Sequence, residues 1–325
     1  MARSQLLPNN FTLALVSTVL LATLLPASGQ AAVFFGALTT VAVGLLFFLH
    51  GAKLSREAVL AGIVHWRLHL VVFAATFVLF PLLGVLLRPL LAPLVTPALY
   101  TGVLFLCVLP ATVQSAIAFT SMARGNIPAA VCSASASTLL GVLVTPWLTN
   151  WLVVPGHAGA SLDSVGRIVV QLVLPFAAGQ LLRPWIGGFV HRHARVLKFV
   201  DQGSILLVVY SAFSAAVIEG LWHQVPLSAL AGLLVICAVL LALALTITTR
   251  VARALGFSKE DEITIVFCGS KKSLASGVPM AKVLFAAPQV GPILLPVMLF
   301  HQMQLMVCAV LAQRYARRPA DDGAG

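Results

Sequence analysis

Apolar stretches of about twenty residues follow one another from residue 11 to residue 313, joined by short segments that carry Pro, Gly or charge. A stretch of that length crosses the hydrocarbon core of a bilayer as a helix. Only 9% of the residues are charged and 60% are hydrophobic, whereas about a quarter of a soluble domain is charged. Lipid is therefore the solvent of this chain. Backbone polar groups must be satisfied inside the bilayer, which leaves helices or a closed barrel. No barrel-like alternation is present, so the chain reads as an all-α polytopic membrane protein. Ten spans are expected, at about 11–27, 32–50, 68–88, 97–122, 127–154, 165–186, 203–219, 227–250, 261–285 and 290–313. They make one membrane domain over 1–325, with 314–325 as a short cytoplasmic tail. The first thirty residues also fit a signal peptide, but the repeat described below needs them as a retained helix.

Charge sets the orientation. With the N-terminus inside, fifteen of the 20 Lys and Arg fall on the inner side, against Arg88 and Arg167 outside, while Lys271, Lys272 and Lys282 lie within a span. Cytoplasmic loops collect basic residues, so both termini are expected in the cytoplasm and the protein in an inner (plasma) membrane. The same rule accounts for the net charge of +11, and nucleic acid is not expected as a partner. Segment 188–202, GFVHRHARVLKFVDQ, reads as a cytoplasmic helix lying on the membrane surface between the sixth and seventh spans. Five cysteines lie in apolar segments with no CxxC spacing, so neither a disulfide framework nor a metal site is implied.

Ten spans divide into five and five, and an odd number inverts the second half relative to the first. Repeat one is about 11–154 and repeat two about 165–313. Inverted repeats are a common plan of secondary transporters, with the site where corresponding helices are interrupted near the midplane. The fourth span contains LPATVQSA (109–116) and its mate, the ninth, contains CGSKKS (268–273). Both are expected to be broken and to cross there. Lys271 and Lys272, flanked by Ser270 and Ser273, are costly in lipid and mark a functional place by default; the structural alternative is donation to carbonyls freed at the break. In the fourth span the interruption carries the polar side chains of Thr112, Gln114 and Ser115. On the fifth, Ser133 shares a helix face with Ser137, and Ser135 with Thr138; these side chains either line a pathway or allow close packing. His301, Gln302 and Gln304 in FHQMQ are polar at mid-span depth. Pro81 and Pro175 read as kinks. All nine acidic residues fall outside the expected span cores, so neither lysine has a carboxylate within reach.

The segments FFLHGAKLSREA (47–58), ARGN (123–126) with the small-residue helix SASASTL after it, and FCGSKKSLASGVPMAKVLF (267–285) make the chain resemble the bile acid:sodium symporter family, in its SBF-like branch. The resemblance covers nearly the whole chain. It implies a panel of spans one, two, six and seven, a core of the other six, and a site where spans four and nine cross. It also implies sodium ions held by oxygens of spans three, four, five and nine in sodium-coupled members. Alignment places the family's ninth-span glutamate on Phe267, its glutamine on Lys271 and the next residue on Lys272. The third-span glutamine falls on Thr76, the fifth-span positions on Ala130 and Ala134, and the polar pair of the tenth span on His301 and Gln302. Two unit charges 4 Å apart repel by about 4 kcal/mol at an effective dielectric of 20, so an ammonium and a sodium ion are poor neighbours. A lysine ammonium standing in for sodium is the expectation. Desolvation disfavours a charged lysine, so a proton joins sodium as a candidate coupling ion; no other cofactor is expected.

The expected function is transport of an organic, anionic, amphipathic solute by alternating access. The alternative is a membrane regulator of calcium homeostasis without transport. An enzyme is not expected, since paired aspartates are absent and no motif supports Ser137 with His301 as a pair.

Overall fold

The computed structural model describes residues 10–53, 65–153 and 169–317. These residues are predominantly helical, with no strand among them. In chain order the main helices are α1 (Asn10–Leu24), α2 (Gly29–Lys53), α3 (Trp66–Leu86), α4 (Pro97–Val108), α5 (Gln114–Met122), α6 (Ile127–Val153), α7 (Leu174–Arg192), α8 (Ala194–Ile218), α9 (Leu227–Ala254), α10 (Lys259–Gly269), α11 (Leu274–Leu284) and α12 (Ala287–Ala316). Among the described residues six are long and apolar enough to cross a membrane: α2, α3, α6, α8, α9 and α12. Large apolar side chains stand on the outer surface, such as Leu24 (77% exposed) and Leu227 (82%). In lipid such a surface has no cost. Trp147, Trp151 and Trp185 are exposed among them, as expected for aromatics near span ends.

The expected fourth and ninth spans are each divided in two. Pro110 has no N–H to continue α4, and α5 starts only at Gln114. Its ring packs on Gly141, where an added Cβ would lie 2.6 Å from a Pro110 carbon. Helix α10 starts with Ser258 accepting from the Asp261 N–H and with three acidic residues in its first turn, which suits the positive pole of the helix dipole. It ends at Gly269. Helix α11 restarts where the Ser273 hydroxyl caps the Ser276 N–H. The breaks meet directly, the Ser273 N–H donating to the Pro110 carbonyl at 2.9 Å.

Segment 188–202 is not a separate surface helix. Helix α7 runs on to Arg192 and α8 begins at Ala194, so the basic residues are the exposed ends of two long helices joined at His193. The earlier start of α8 also places Asp201 two turns inside it. The ARGN turn is a clasp between halves: Arg124 adopts φ 56°, Asn126 caps α6, and its amide donates to Asp261 at 2.8 Å. The Asn126 N–H and carbonyl both meet the Thr264 hydroxyl at 3.1 Å.

Helix α2 packs along α7, and α1 along α8. Gly51 abuts the Phe176 backbone and Gly179 the Phe48 backbone, so the α2–α7 contact depends on two missing side chains. Helices α1, α2, α7 and α8 form one wall of an internal cavity, and α5, α6, α11 and α12 form the other.

Candidate functional site

The break in α4 leaves the carbonyls of its last turn without their usual intrahelical donors, and each finds another. Val108 accepts from the Thr145 hydroxyl at 2.8 Å, and Pro110 from Ser273. Cys107 and Leu109 accept from Lys272 Nζ at 2.8 and 2.7 Å. The Ala111 N–H, which would have returned to Cys107 in an unbroken helix, donates instead to Ser137 Oγ at 3.0 Å.

Lys272 takes a third carbonyl, that of Thr76, at 2.7 Å. Residues 75–79 of α3 form a π-helical turn in which the Phe80 N–H reaches Ala75. In that register the carbonyl of Thr76 would be served by residue 81, a proline with no N–H. Pro81 thus frees the oxygen that Lys272 binds, which is more than the kink its position implied. Three ammonium donors meet three carbonyls, and the Phe80 ring centroid lies 4.3 Å away. The side chain is 1% exposed. Two of the carbonyls end α4, at the negative pole of its dipole.

Lys271 points elsewhere. Its Nζ donates to the Ser115 carbonyl at 2.9 Å and sits 3.9 Å from the centroid of Phe119 and 5.2 Å from that of Phe267. Phe267, where the resemblance places the family's glutamate, is fully buried and offers the ammonium a ring face. Gln304, fully buried on α12, fixes the break from the other side. Its oxygen accepts from the Lys272 N–H and its nitrogen donates to the Lys272 carbonyl, both at 2.9 Å. The same nitrogen lies 2.9 Å from His301 Nδ1.

A cavity of about 360 Å³ opens beside the breaks. Of the residues singled out from sequence, it is lined by Gln114, Ser115, Thr138, Ser273 and His301, together with Thr112, Ser135 and Ser276. The others have structural employment. Ser270 donates to Val266, and Thr76 contributes its carbonyl while its hydroxyl returns to Val72. Ser137 holds Ala111, and Ser133 lies 2.7 Å from His69 Nδ1. Gln302 is half-buried and does not line the cavity. Nor does either lysine of the break. Among the described residues, the charged groups facing the cavity are Lys53, Lys198 and Asp201, with His50 beside them. Sequence reasoning assigned none of the four to a site: His50 and Lys53 lie in the quoted segment 47–58, but the Lys53–Asp201 pair joins residues 148 apart in the chain.

A sodium ion does not fit at the lysine pair. The carbonyls that converge there are taken by an ammonium, and the carboxylate position is phenylalanine.

The profile of the SBF-like CPA transporter family matches residues 9–317. The chain belongs to that family. It is 69% identical over 325 residues to an uncharacterised protein of Pseudomonas aeruginosa, covering all of this chain and 98% of that one. It is 58% identical over 308 residues to the Escherichia coli protein named "Putative symporter YfeH", covering 95% and 93%. It is 27% identical over 277 residues to sodium/bile acid cotransporter 7 of Danio rerio, covering 84% and 82%. The family is one of transporters, and two of these relatives carry symporter or cotransporter names, as the quoted sequence segments implied.

Proposed function

We propose that the protein is a secondary transporter of a small organic anion, built as ten spans in two inverted five-helix repeats, in which the Lys272 ammonium takes the place of a bound sodium ion. The observation that carries this reading is the triple carbonyl grip on Lys272 Nζ at the meeting of the two broken helices. An ammonium so held is a permanent cation tying α3, α4 and the α10–α11 break together. Transport then proceeds down the solute's own gradient or with protons, with no sodium requirement.

The cavity supports transport over regulation without transport. It lies between the two walls, reaches both breaks, and is lined there by hydroxyls and His301 rather than packed shut by apolar side chains. Alternating access would move one wall against the other around this cavity. The test is uptake of radiolabelled organic anions into proteoliposomes, with sodium and proton gradients imposed separately. Uptake without sodium supports the reading; uptake that needs a sodium gradient refutes the substitution, and no uptake of any anion favours the regulator.

A further inference from the structure

Charge is unevenly spread around the cavity. The wall at the breaks presents neutral hydrogen-bonding groups: Thr112, Gln114, Ser115, Thr138, Ser273 and His301. Formal charge sits on α2 and α8, where Lys53 at the end of α2 is ion-paired with Asp201 of α8, and Lys198 lies one turn before Asp201. The pair is unsymmetrical in its satisfaction. Lys53 reaches only Oδ2 of Asp201, while Oδ1 is buried without a hydrogen-bond partner among the described residues. A carboxylate has acceptor capacity on both oxygens, so the pair leaves one acceptor of Asp201 unsatisfied inside the protein. The Lys53 side chain is 33% exposed and that of Asp201 16%, so the lysine is open to a competitor from the cavity. Among the described residues, Lys271 and Lys272 do not line the cavity, and its formal charges are those of Lys53, Lys198 and Asp201.

We propose that Lys53 receives the anionic group of the substrate and that Asp201 is a resident counter-ion which the substrate displaces. The substrate class is a compact organic monoanion whose body reaches the hydroxyls at the breaks. A cavity of about 360 Å³ is near the lower end of the 300–1,000 Å³ typical of ligand pockets. This inference rests on the transport reading above and assigns the charge-reading residue of the same site.

The experiment measures KM for uptake of gluconate, mandelate, 4-aminobenzenesulfonate and taurocholate into proteoliposomes. It compares the wild type, Lys53→Gln and Asp201→Asn, each checked for its thermal midpoint in detergent. The two substitutions are expected to act in opposite directions. Loss of Lys53 raises KM for the transported anion about tenfold or more, the usual scale for a hydrogen bond to a charged group. Loss of the competing Asp201 charge lowers KM severalfold. A merely structural ion pair predicts that both substitutions impair transport alike, and that result, or an unchanged KM in both, overturns the proposal. Should Lys53→Gln fail to fold, Asp201→Asn decides alone: KM falls if the proposal holds, and rises or stays if it does not. Uptake confined to taurocholate overturns the compact class. A wild type that takes up none of the four refutes the transport reading itself, which is distinct from a transporting wild type whose variants leave KM unchanged.

Discussion

Lys272→Met is the perturbation whose consequence follows most directly from the geometry. Methionine keeps about the length of the lysine's four-carbon stem and removes the ammonium. The carbonyls of Thr76, Cys107 and Leu109 then lose donors at 2.7–2.8 Å in a place sealed from water. A buried polar group left unsatisfied costs about 1–3 kcal/mol, so three amount to about 3 kcal/mol at the lower bound. The desolvation cost of the ammonium is relieved at the same time. Even so, breaking a buried charged arrangement by removing one partner is typically destabilising by about 3–5 kcal/mol. A loss of about 3 kcal/mol is therefore predicted, which at about 2 °C per kcal/mol for a large domain lowers the thermal midpoint by about 6 °C. Lys271→Met removes one carbonyl contact and two ring faces, and is predicted to cost less. The assay is thermal unfolding of the purified proteins in one detergent. A Lys272→Met protein that melts at or above the wild type, or a Lys271→Met protein that melts lower than Lys272→Met, refutes the reasoning.

Gln304→Leu deletes both amide contacts to the Lys272 backbone and leaves a buried N–H and carbonyl bare; a loss of about 2 kcal/mol or more is expected in the same melting assay. Gly141→Val places carbons against the Pro110 ring, at a position where even a Cβ would stand 2.6 Å away; overpacking of about 1–3 kcal/mol is expected, with uptake lost more than stability because the break itself is displaced. Asn126→Ala removes the cap of α6 and the link to Asp261, with an expected cost of about 1 kcal/mol from the cap and earlier protease cleavage at the ARGN turn.

Much of this arrangement was legible because the bilayer makes exceptions conspicuous. Two lysines, a glutamine and a proline within apolar runs have few permissible explanations in lipid, and the breaks at Pro110 and Ser270–Ser273 are where those residues stand. The neighbours of Lys272 were not legible. Its ligands are backbone carbonyls, which every residue possesses, and only the π-helical turn before Pro81 determines that Thr76 supplies one. Ser133 and Ser137 show the opposite limit. Their shared face was clear, but whether it met a pathway or the partner helix depended on how α6 lies against α3 and the break. In the sequence Asp201 looked like a loop residue because hydropathy falls off before the helix does, α8 extending through a basic, amphipathic stretch.

The central claim is that an ammonium fills the cation place at the crossing. Equilibrium binding of radioactive sodium to the purified protein, measured by scintillation proximity against a choline background, tests it most directly. The account predicts no saturable sodium binding to the wild type. Saturable binding that excess unlabelled sodium displaces would contradict it.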